Sequence, residues 1–223
     1  MKLMGEQVLS RHGWLARQPK DFQRQVLAES QLQHFECGAP VYHLGDPPGG
    51  IYGVASGAVG ISIAPGEGGP YLAHLGTAGY WIGEGPFLTG EPRRVELMAM
   101  SRCVLLNLPL HVMERMAAED PMNIRRFAQI AISNVDLALR VIGDLMIAQP
   151  ERRIAAVLVR SAGPQQKPMV RVSQAELGRM ANASRKLVNK ALHNFAGLRW
   201  VEPGYNAITI HDVQALGQFA AGK

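Results

Sequence analysis

The sequence lacks the features that mark exported, membrane-spanning and disulfide-stabilised proteins. Its only two cysteines, Cys37 and Cys103, lie far apart and outside any CxxC spacing. This excludes a disulfide framework, a cysteine-ligated zinc site and an N-terminal cysteine cluster for an iron–sulfur centre. No apolar run is long enough to cross a membrane. Because Glu6, Arg11 and His12 interrupt the N-terminus where a signal peptide needs apolar residues, we expect a cytoplasmic protein.

Enzyme signatures are also missing from the sequence. GxSxG, the P-loop and HExxH do not occur. His34, His43, His74 and His111 contain no HxH pair of the kind that metal-dependent β-roll enzymes use. We therefore expect no catalytic residue and no metal site, and a β-roll enzyme is kept as an alternative from another class.

The composition predicts a soluble globular protein with an uneven distribution of charge. A chain of 223 residues with 47% hydrophobic and 18% charged residues suits two modest domains, each with a core of its own. Residues 151–223 carry 11 Lys/Arg against 4 Asp/Glu, a net charge of +7, whereas residues 1–150 carry 12 against 14, a net charge of −2. This asymmetry indicates a C-terminal module that faces a polyanion.

The first half of the chain has the texture of an all-β domain. From Cys37 to about Leu110, short apolar runs alternate with glycine-rich turns at nearly regular spacing, which predicts a sandwich or roll. The expected strands include Pro40–Tyr42, Ile51–Tyr52, Val59–Ile63, Tyr71–Ala73 and Val104–Leu106. The expected turns are at Gly38, Gly45-Asp46, Ser56-Gly57 and Gly66–Gly69. Residues 6–33 predict short helices that cap this domain.

A long helix is predicted from Pro121 to Gln149, where Gln149-Pro150 ends it. Its apolar residues repeat with steps of four and three, which is typical of a coiled-coil seam. The seam consists of Ala128, Ile132, Val135, Leu139, Ile142 and Met146. We expect this seam to meet an identical helix in a homodimer; burial within its own chain is the alternative. A second apolar stripe, Ile130, Leu137, Val141 and Leu145, is expected to dock on the β-domain.

The basic C-terminal module has the pattern of a winged helix-turn-helix. A helix over residues 151–162, a polar stretch at Gly163–Pro168 and a short strand at Val170–Val172 lead into it. Ser173 and Glu176 form a capping box, Asn182 tolerates a left-handed turn, and Ser184 caps a second helix that runs to about Phe195. A three-residue turn between short helices is typical of this motif.

The second helix has two distinct faces. Val188, Leu192 and Phe195 are spaced to face a core. Arg185, Lys186, Asn189 and Lys190 therefore share the opposite face, where they could contact base edges and phosphates. The segment 200–210 predicts a hairpin wing that turns at Pro203 to Asn206.

These stretches, in this order, resemble the cyclic-AMP receptor protein/FNR (CRP/FNR) family of bacterial transcription regulators over nearly the entire chain. The resemblance is carried by Gly38, Gly45-Asp46, residues 52–57, Gly83-Glu84, Arg153-Ile154-Ala155, Glu176-Leu177-Gly178 and residues 184–188. It implies an α+β fold with a β-roll sensor over residues 1–120, a dimerisation helix over 121–149 and a winged helix-turn-helix over 150–223. It also implies a double-stranded DNA partner and allows RNA polymerase as a further partner.

The resemblance further implies the roles of individual DNA-binding residues. Arg185 would read a guanine, and Lys186 and Asn189 would read neighbouring bases. The phosphate contacts would be Ser173, Gln174, Ser184 and Lys190. Family members often have glutamate where Lys186 stands. Because a carboxylate accepts from cytosine and an ammonium only donates, we expect a different half-site preference.

The effector site departs from the family pattern. The resemblance places a cyclic nucleotide among Gly83, Glu84 and Arg93, where Arg94 could add a second phosphate contact, but Arg94-Val95 replaces a small pair and is expected to crowd the pocket. Pro86 removes one amide donor, and Ala138-Leu139 stands where adenine would need a Thr-Ser pair. The effector and any cofactor stay unknown. The alternatives are cyclic AMP in a divergent pocket, another small ligand or redox signal, and an effector-free β-roll with an internal Glu84–Arg93 salt bridge. A regulatory subunit of another protein is a further class, although the chain carries its own DNA reader.

Overall fold

The computed structural model describes residues 2–64, 69–163 and 168–223. The chain divides into two compact units, one of residues 1–70 and 75–137 and the other of residues 71–74 and 138–223. None of the described helices is both long and apolar enough to cross a membrane. The predicted stretches 66–68 and 164–167 lie outside the described residues.

The N-terminal segment forms the predicted helical cap. Helices α1 (Lys2–Arg11), α2 (Gly13–Ala16) and α3 (Lys20–Glu29) precede the first strand. Trp14 lies at the centre of the cap, with its ring centroid 5.8 Å from that of Phe22 and 6.0 Å from that of Phe127. Its indole nitrogen donates to the carbonyl of Arg126 at 2.7 Å. A buried indole N–H that is paired in this way allows the large ring to enter the core without an unsatisfied donor.

The described residues of the β-roll region also contain eight strands and two further helices. The strands are β1 (Gln31–Phe35), β2 (Pro40–Tyr42), β3 (Ile51–Ser56), β4 (Val59–Ile63), β5 (Tyr71–Gly76), β6 (Trp81–Ile82), β7 (Glu96–Ala99) and β8 (Cys103–Leu108). Helix α4 (Gly85–Thr89) follows β6, and α5 (Leu110–Glu119) follows β8. One sheet has the order β1-β8-β3-β6 and the other β2-β7-β4-β5.

The structure confirms the predicted strands and changes some of their limits. β1 begins inside the segment that was expected to be helical, because Gln31 to Phe35 pair antiparallel with Asn107 to Cys103 of β8. β6 and β7 were not predicted. The predicted turns at Gly38, Gly45 and Gly57 are confirmed by φ angles of 85°, 84° and 85°, which glycine adopts without penalty.

The long helix α6 spans Met122–Met146, 25 residues or about 38 Å at 1.5 Å rise per residue. It ends three residues before the predicted limit. Gln149 is extended (φ −81°, ψ 117°) because it precedes Pro150, and Ile147 closes the last turn on Asp144. The second apolar stripe is buried at Ile130, half-buried at Leu137 and Val141 and exposed at Leu145.

The C-terminal module consists of α7 (Pro150–Ser161), β9 (Met169–Val170), α8 (Gln174–Met180), α9 (Arg185–Gly197), β10 (Val201–Gly204), β11 (Ala207–Ile210) and α10 (Val213–Ala221). Its sheet has the order β10-β11-β9. Helix α7 begins one residue earlier than predicted, and β9 covers Met169–Val170 rather than Val170–Val172. The rings of Phe195, Trp200 and Phe219 pack together with centroids 5.5–5.9 Å apart.

The wing is a tighter hairpin than the sequence suggested. Pro203 pairs with Ile208 and Gly204 with Ala207, so the turn consists of Tyr205 and Asn206 alone. Asn206 has a positive φ of 47°, a conformation that asparagine adopts more often than most residues. The predicted four-residue turn is therefore wrong. Pro203 belongs to strand β10 instead, because β10 lies at the edge of its sheet, where a proline without an N–H is tolerated.

Candidate nucleic-acid interface and effector site

The helix-turn-helix begins with the predicted capping box. The Ser173 hydroxyl accepts a hydrogen bond from the Glu176 amide at 3.2 Å, and the Ser173 amide donates to the Glu176 carboxylate at 2.8 Å. Two amides at the N-terminus of α8 are thereby satisfied without water. Ser173 and Gln174 are both half-buried at this end of the helix.

The turn between α8 and α9 requires a glycine and a left-handed residue. The Ala183 amide donates to the Gly178 carbonyl at 2.8 Å, and a Cβ on Gly178 would lie 2.7 Å from the Ala183 carbonyl oxygen. Asn182 has the positive φ, 46°, that was expected of it. Ser184 then caps α9 by accepting from the Leu187 amide at 3.3 Å.

Helix α9 separates its fold-forming residues from its polar residues. Val188, Ala191, Leu192 and Phe195 are buried. The four residues of the opposite face, Arg185, Lys186, Asn189 and Lys190, are all exposed, as is Ser184 at the N-cap. The structure thus brings together the predicted base-reading residues on one surface.

Two charged residues near this surface were not identified from the sequence. Glu151 at the start of α7 forms an exposed ion pair with Lys190, with a nitrogen-to-oxygen distance of 3.3 Å. Arg179 is exposed in the last turn of α8, beside the turn. In the sequence, Arg179 could have been associated with the DNA-facing surface only because it lies in the basic C-terminal module.

Arg93 is buried and is held by contacts within its own unit. Its guanidinium donates to the carbonyl of Gly83 at 2.9 Å and to that of Gly50 at 2.8 Å. It also lies 4.2 Å from the centroid of the Tyr42 ring, a cation–π distance. A Cβ on Gly49 would approach the guanidinium to 2.5 Å and one on Gly83 to 2.7 Å. We call this set of glycines and the Tyr42 ring the Arg93 seat.

Glu84 precedes α4 and makes a contact that the sequence did not suggest. Its carboxylate accepts from the side-chain amide of Asn134 on α6 at 3.1 Å. Burial raises the pKa of Glu84, and hydrogen bonds from its surroundings offset part of this effect. Because Arg93 is held by backbone carbonyls and Glu84 by Asn134, the structure does not contain the internal Glu84–Arg93 salt bridge.

The other predicted effector residues are distributed differently. Arg94 is exposed next to the buried Arg93, so it does not crowd the Arg93 seat. Pro86 is buried in the first turn of α4. Ala138 and Leu139 are exposed on α6. Within residues 2–64, 69–163 and 168–223, no group of three His, Cys, Asp or Glu side chains is placed to hold a metal ion.

Comparison with known families gives two matches along the chain. The cyclic nucleotide-binding domain matches residues 32–120, and the Crp-like helix-turn-helix domain matches residues 152–219. The chain belongs to the CRP/FNR family. It is a DNA-binding transcription regulator and not an enzyme, and the predicted α+β fold of this family is confirmed.

Individual proteins support the membership in the CRP/FNR family. The HTH-type transcriptional regulator Cmr of Mycobacterium tuberculosis is 27% identical over 86% of this chain and 77% of its own length. A CRP-like cAMP-activated global transcriptional regulator of the same organism is 24% identical over 85% of this chain and 89% of its own. A solved CRP/FNR-family regulator of Thermus thermophilus shares the fold, with a TM-score of 0.65 at 24% identity over 86% of this chain and 98% of that one.

Proposed function

We propose that this regulator binds an inverted-repeat operator as a homodimer, with α9 in the major groove of each half-site. The observation that carries the proposal is the exposed polar face of α9, which lies opposite a fully buried face on a helix capped by Ser184. Such a helix can present hydrogen-bond donors to base edges while its other face packs in the core of the module. RNA polymerase stays an expected partner, and a cytoplasmic location stays an expectation of the same proposal.

The seam of α6 supports the homodimer. Ile132, Val135, Leu139, Ile142 and Met146 are between 53% and 80% exposed. Five large apolar side chains in one stripe are unusual on a monomer surface. An identical helix packed in coiled-coil fashion would bury them around a two-fold axis, together with the half-buried Ala128.

The experiment that tests the function is a titration of the purified protein into a selected palindromic duplex. A dimer on a two-fold axis meets half-sites about one helical turn apart. Binding is expected to weaken steeply with salt, because each phosphate contact releases condensed counterions. A stoichiometry of one monomer per full operator, or equal affinity for random DNA, would contradict the proposal.

Individual roles on the DNA follow from residue chemistry. Arg185 is proposed to read a guanine through its bidentate fork, and Lys186 and Asn189 to read adjacent bases. Ser173, Gln174, Ser184 and Lys190 are proposed to hold phosphates. The ion pair of Lys190 with Glu151 leaves this lysine exposed, so a phosphate can replace the carboxylate as its partner.

Substitution of Arg185 separates base reading from phosphate binding. We expect Arg185→Ala to cost about 1–3 kcal/mol on the selected operator and to flatten the preference at one base pair. Lys190→Ala is the matched control, since it removes the same charge from the same face and is expected to weaken all sequences alike. Binding constants for the operator, single-base variants and random DNA measure the difference. Equal losses from Arg185→Ala on all three would refute the assignment.

We further propose that a small effector other than cyclic AMP controls the regulator. Arg93, which the family resemblance assigns to the phosphate, already donates to two buried carbonyls. These bonds use two of its five N–H groups, so fewer donors are left for a phosphate than in a guanidinium without internal partners. Pro86 withholds one amide from α4, and Ala138 and Leu139 offer adenine no polar group. Because one relative is described as cAMP-activated, cyclic AMP is the competing ligand.

Calorimetric titration with cyclic AMP decides between these ligands. Two or three missing hydrogen bonds to charged or buried groups, at about 1.5–3 kcal/mol each, are enough to move a micromolar ligand beyond the millimolar range. We therefore expect no saturable heat at micromolar nucleotide. Saturable binding below about 50 μM that also raises DNA affinity would restore cyclic AMP as the switch.

A further inference from the structure

Arg153, in the first turn of α7, joins two separate segments of the C-terminal unit through its guanidinium. Its Nε donates to the Ala181 carbonyl at 2.8 Å and one Nη to the Asn182 carbonyl at 2.8 Å. The other Nη donates to the carbonyls of Ile147 and Ala148 at 2.8 and 3.1 Å. The first two acceptors lie in the turn that leads to α9, and the other two lie immediately after α6.

These acceptors are backbone atoms that the helix ladders leave without partners. The residues that follow the last turn of a helix leave carbonyls that need partners from outside the helix. Asn182 lies between the two helices of the motif and has a left-handed backbone, with a φ of 46°. Arginine has five donors in a rigid plane, and four of them are engaged here. Because the guanidinium is planar and its engaged donors lie on opposite sides, it fixes both the distance and the relative direction of the α8–α9 turn and the end of α6.

We propose that Arg153 is a positioning residue that sets the angle between the dimer helix α6 and the recognition helix α9. Through that angle it determines which half-site spacing the dimer accepts. The inference rests on the proposed function, since it needs a dimer that reads two half-sites. Ser184 and Arg185 follow Asn182 by two and three residues, so a shift of the turn moves the first, base-reading turn of α9 directly.

A second contact shows that α7 is held against α6 independently of Arg153. Arg160, two helical turns further along α7, forms a buried ion pair with Asp144 of α6, with Nε 2.7 Å from the carboxylate oxygen. With this ion pair in place, loss of the Arg153 fork would leave α7 joined to α6 through Arg160 and Asp144. It would release the turn and the end of α6 from each other. The expected consequence is therefore a broader range of reader orientations rather than a detached module.

Arg152 provides a matched control at the neighbouring position. Its guanidinium donates to the Ala220 carbonyl through Nε at 3.1 Å and Nη at 3.0 Å, and to the Gln149 side chain at 3.3 Å. Arg152 has the same charge as Arg153, makes a similar number of hydrogen bonds and lies in the same turn of α7. However, its main-chain acceptor is at the C-terminus of α10, far in sequence from the turn that precedes α9.

The test compares the full-length wild type with R153Q, R153K and R152Q on one operator whose central spacing varies by up to two base pairs either way. A base pair rises about 3.4 Å along the duplex, so a rigidly held reader pair should favour one spacing by about tenfold over its neighbours. We expect R153Q to bind the preferred spacing about tenfold more weakly and the five spacings within about threefold of one another. R152Q is expected to keep the wild-type preference.

The salt dependence distinguishes positioning from direct contact with DNA. Loss of a phosphate contact lowers the slope of log K against log salt by about 0.9, whereas loss of a positioning residue leaves it unchanged. Thermal unfolding and circular dichroism of each variant show whether it folds. If R153Q does not fold, R153K decides, because its ammonium keeps the charge but lacks the planar fork.

Two failures can be told apart. Suppose first that the wild type binds the palindrome as a dimer. If the folded Arg153 variant then has the same spacing preference as the wild type, or a lower salt slope than the wild type, the positioning role is wrong and the proposed function stands. The same holds if the dimeric wild type has no preferred spacing. If the wild type does not bind the palindrome as a dimer, the proposed function fails, and the inference fails with it.

Discussion

Replacement of Leu139 by aspartate is expected to prevent the proposed homodimer and to leave monomers at micromolar concentration. Leu139 lies in the middle of the exposed seam, between Val135 and Ile142, and is 60% exposed in the single chain. In a symmetric pair the substitution would bury two carboxylates against each other without a cation to offset their desolvation. An unpaired buried charge costs about 3–5 kcal/mol, which is a hundredfold or more in Kd.

Sedimentation equilibrium measures this effect. Leu44→Asp is a suitable control, because Leu44 is also an exposed leucine (45%) but lies between β2 and β3 and not on α6. The control is expected to remain a dimer with unchanged operator affinity. If Leu139→Asp sedimented as a full-strength dimer at micromolar concentration, the interface would lie elsewhere on the chain.

Replacement of Arg93 by leucine is expected to destabilise the β-roll unit by about 2–4 kcal/mol. The substitution leaves the buried carbonyls of Gly50 and Gly83 without donors, at about 1–3 kcal/mol each, and it removes the cation–π contact with Tyr42. Part of this loss is offset because an arginine no longer has to be desolvated.

Chemical denaturation followed by fluorescence is a direct measurement, since Trp14 and Trp81 are both buried in this unit. Arg94→Leu removes the same charge at the next position, where the side chain is exposed, and is expected to change stability by less than about 0.5 kcal/mol. If both variants unfolded at the same denaturant concentration, the Arg93 seat would contribute nothing to stability.

The features that sequence predicted well are those with local causes. The capping box of Ser173 and Glu176, the positive φ of Asn182 and the two faces of α9 each depend on residues within one or two helical turns. The seam of α6 was visible because its period is a property of one helix. Glycine turns at Gly38, Gly45 and Gly57 were visible because few other residues adopt their φ.

The features that sequence missed depend on partners far along the chain. β1 exists because it pairs with β8, more than 60 residues later, which outweighs its weak local preference. Asn134 meets Glu84 across 50 residues, and Arg93 meets Gly50 across 43. Arg153 was recognised as part of a family motif, but its acceptors are main-chain carbonyls, which carry no signature in residue type.

The division of α9 into two sets of residues has a consequence for how such a regulator can change over evolutionary time. The side chains that hold the helix in the fold, Val188, Ala191, Leu192 and Phe195, are not the ones that are exposed for DNA, and exposed positions tolerate substitution at little cost in stability. If Arg185, Lys186 and Asn189 read bases as proposed, a new operator preference can arise from one or two mutations at these positions without passing through an unfolded intermediate. After a gene duplication, two copies of this chain could acquire separate sets of target genes while keeping the same scaffold.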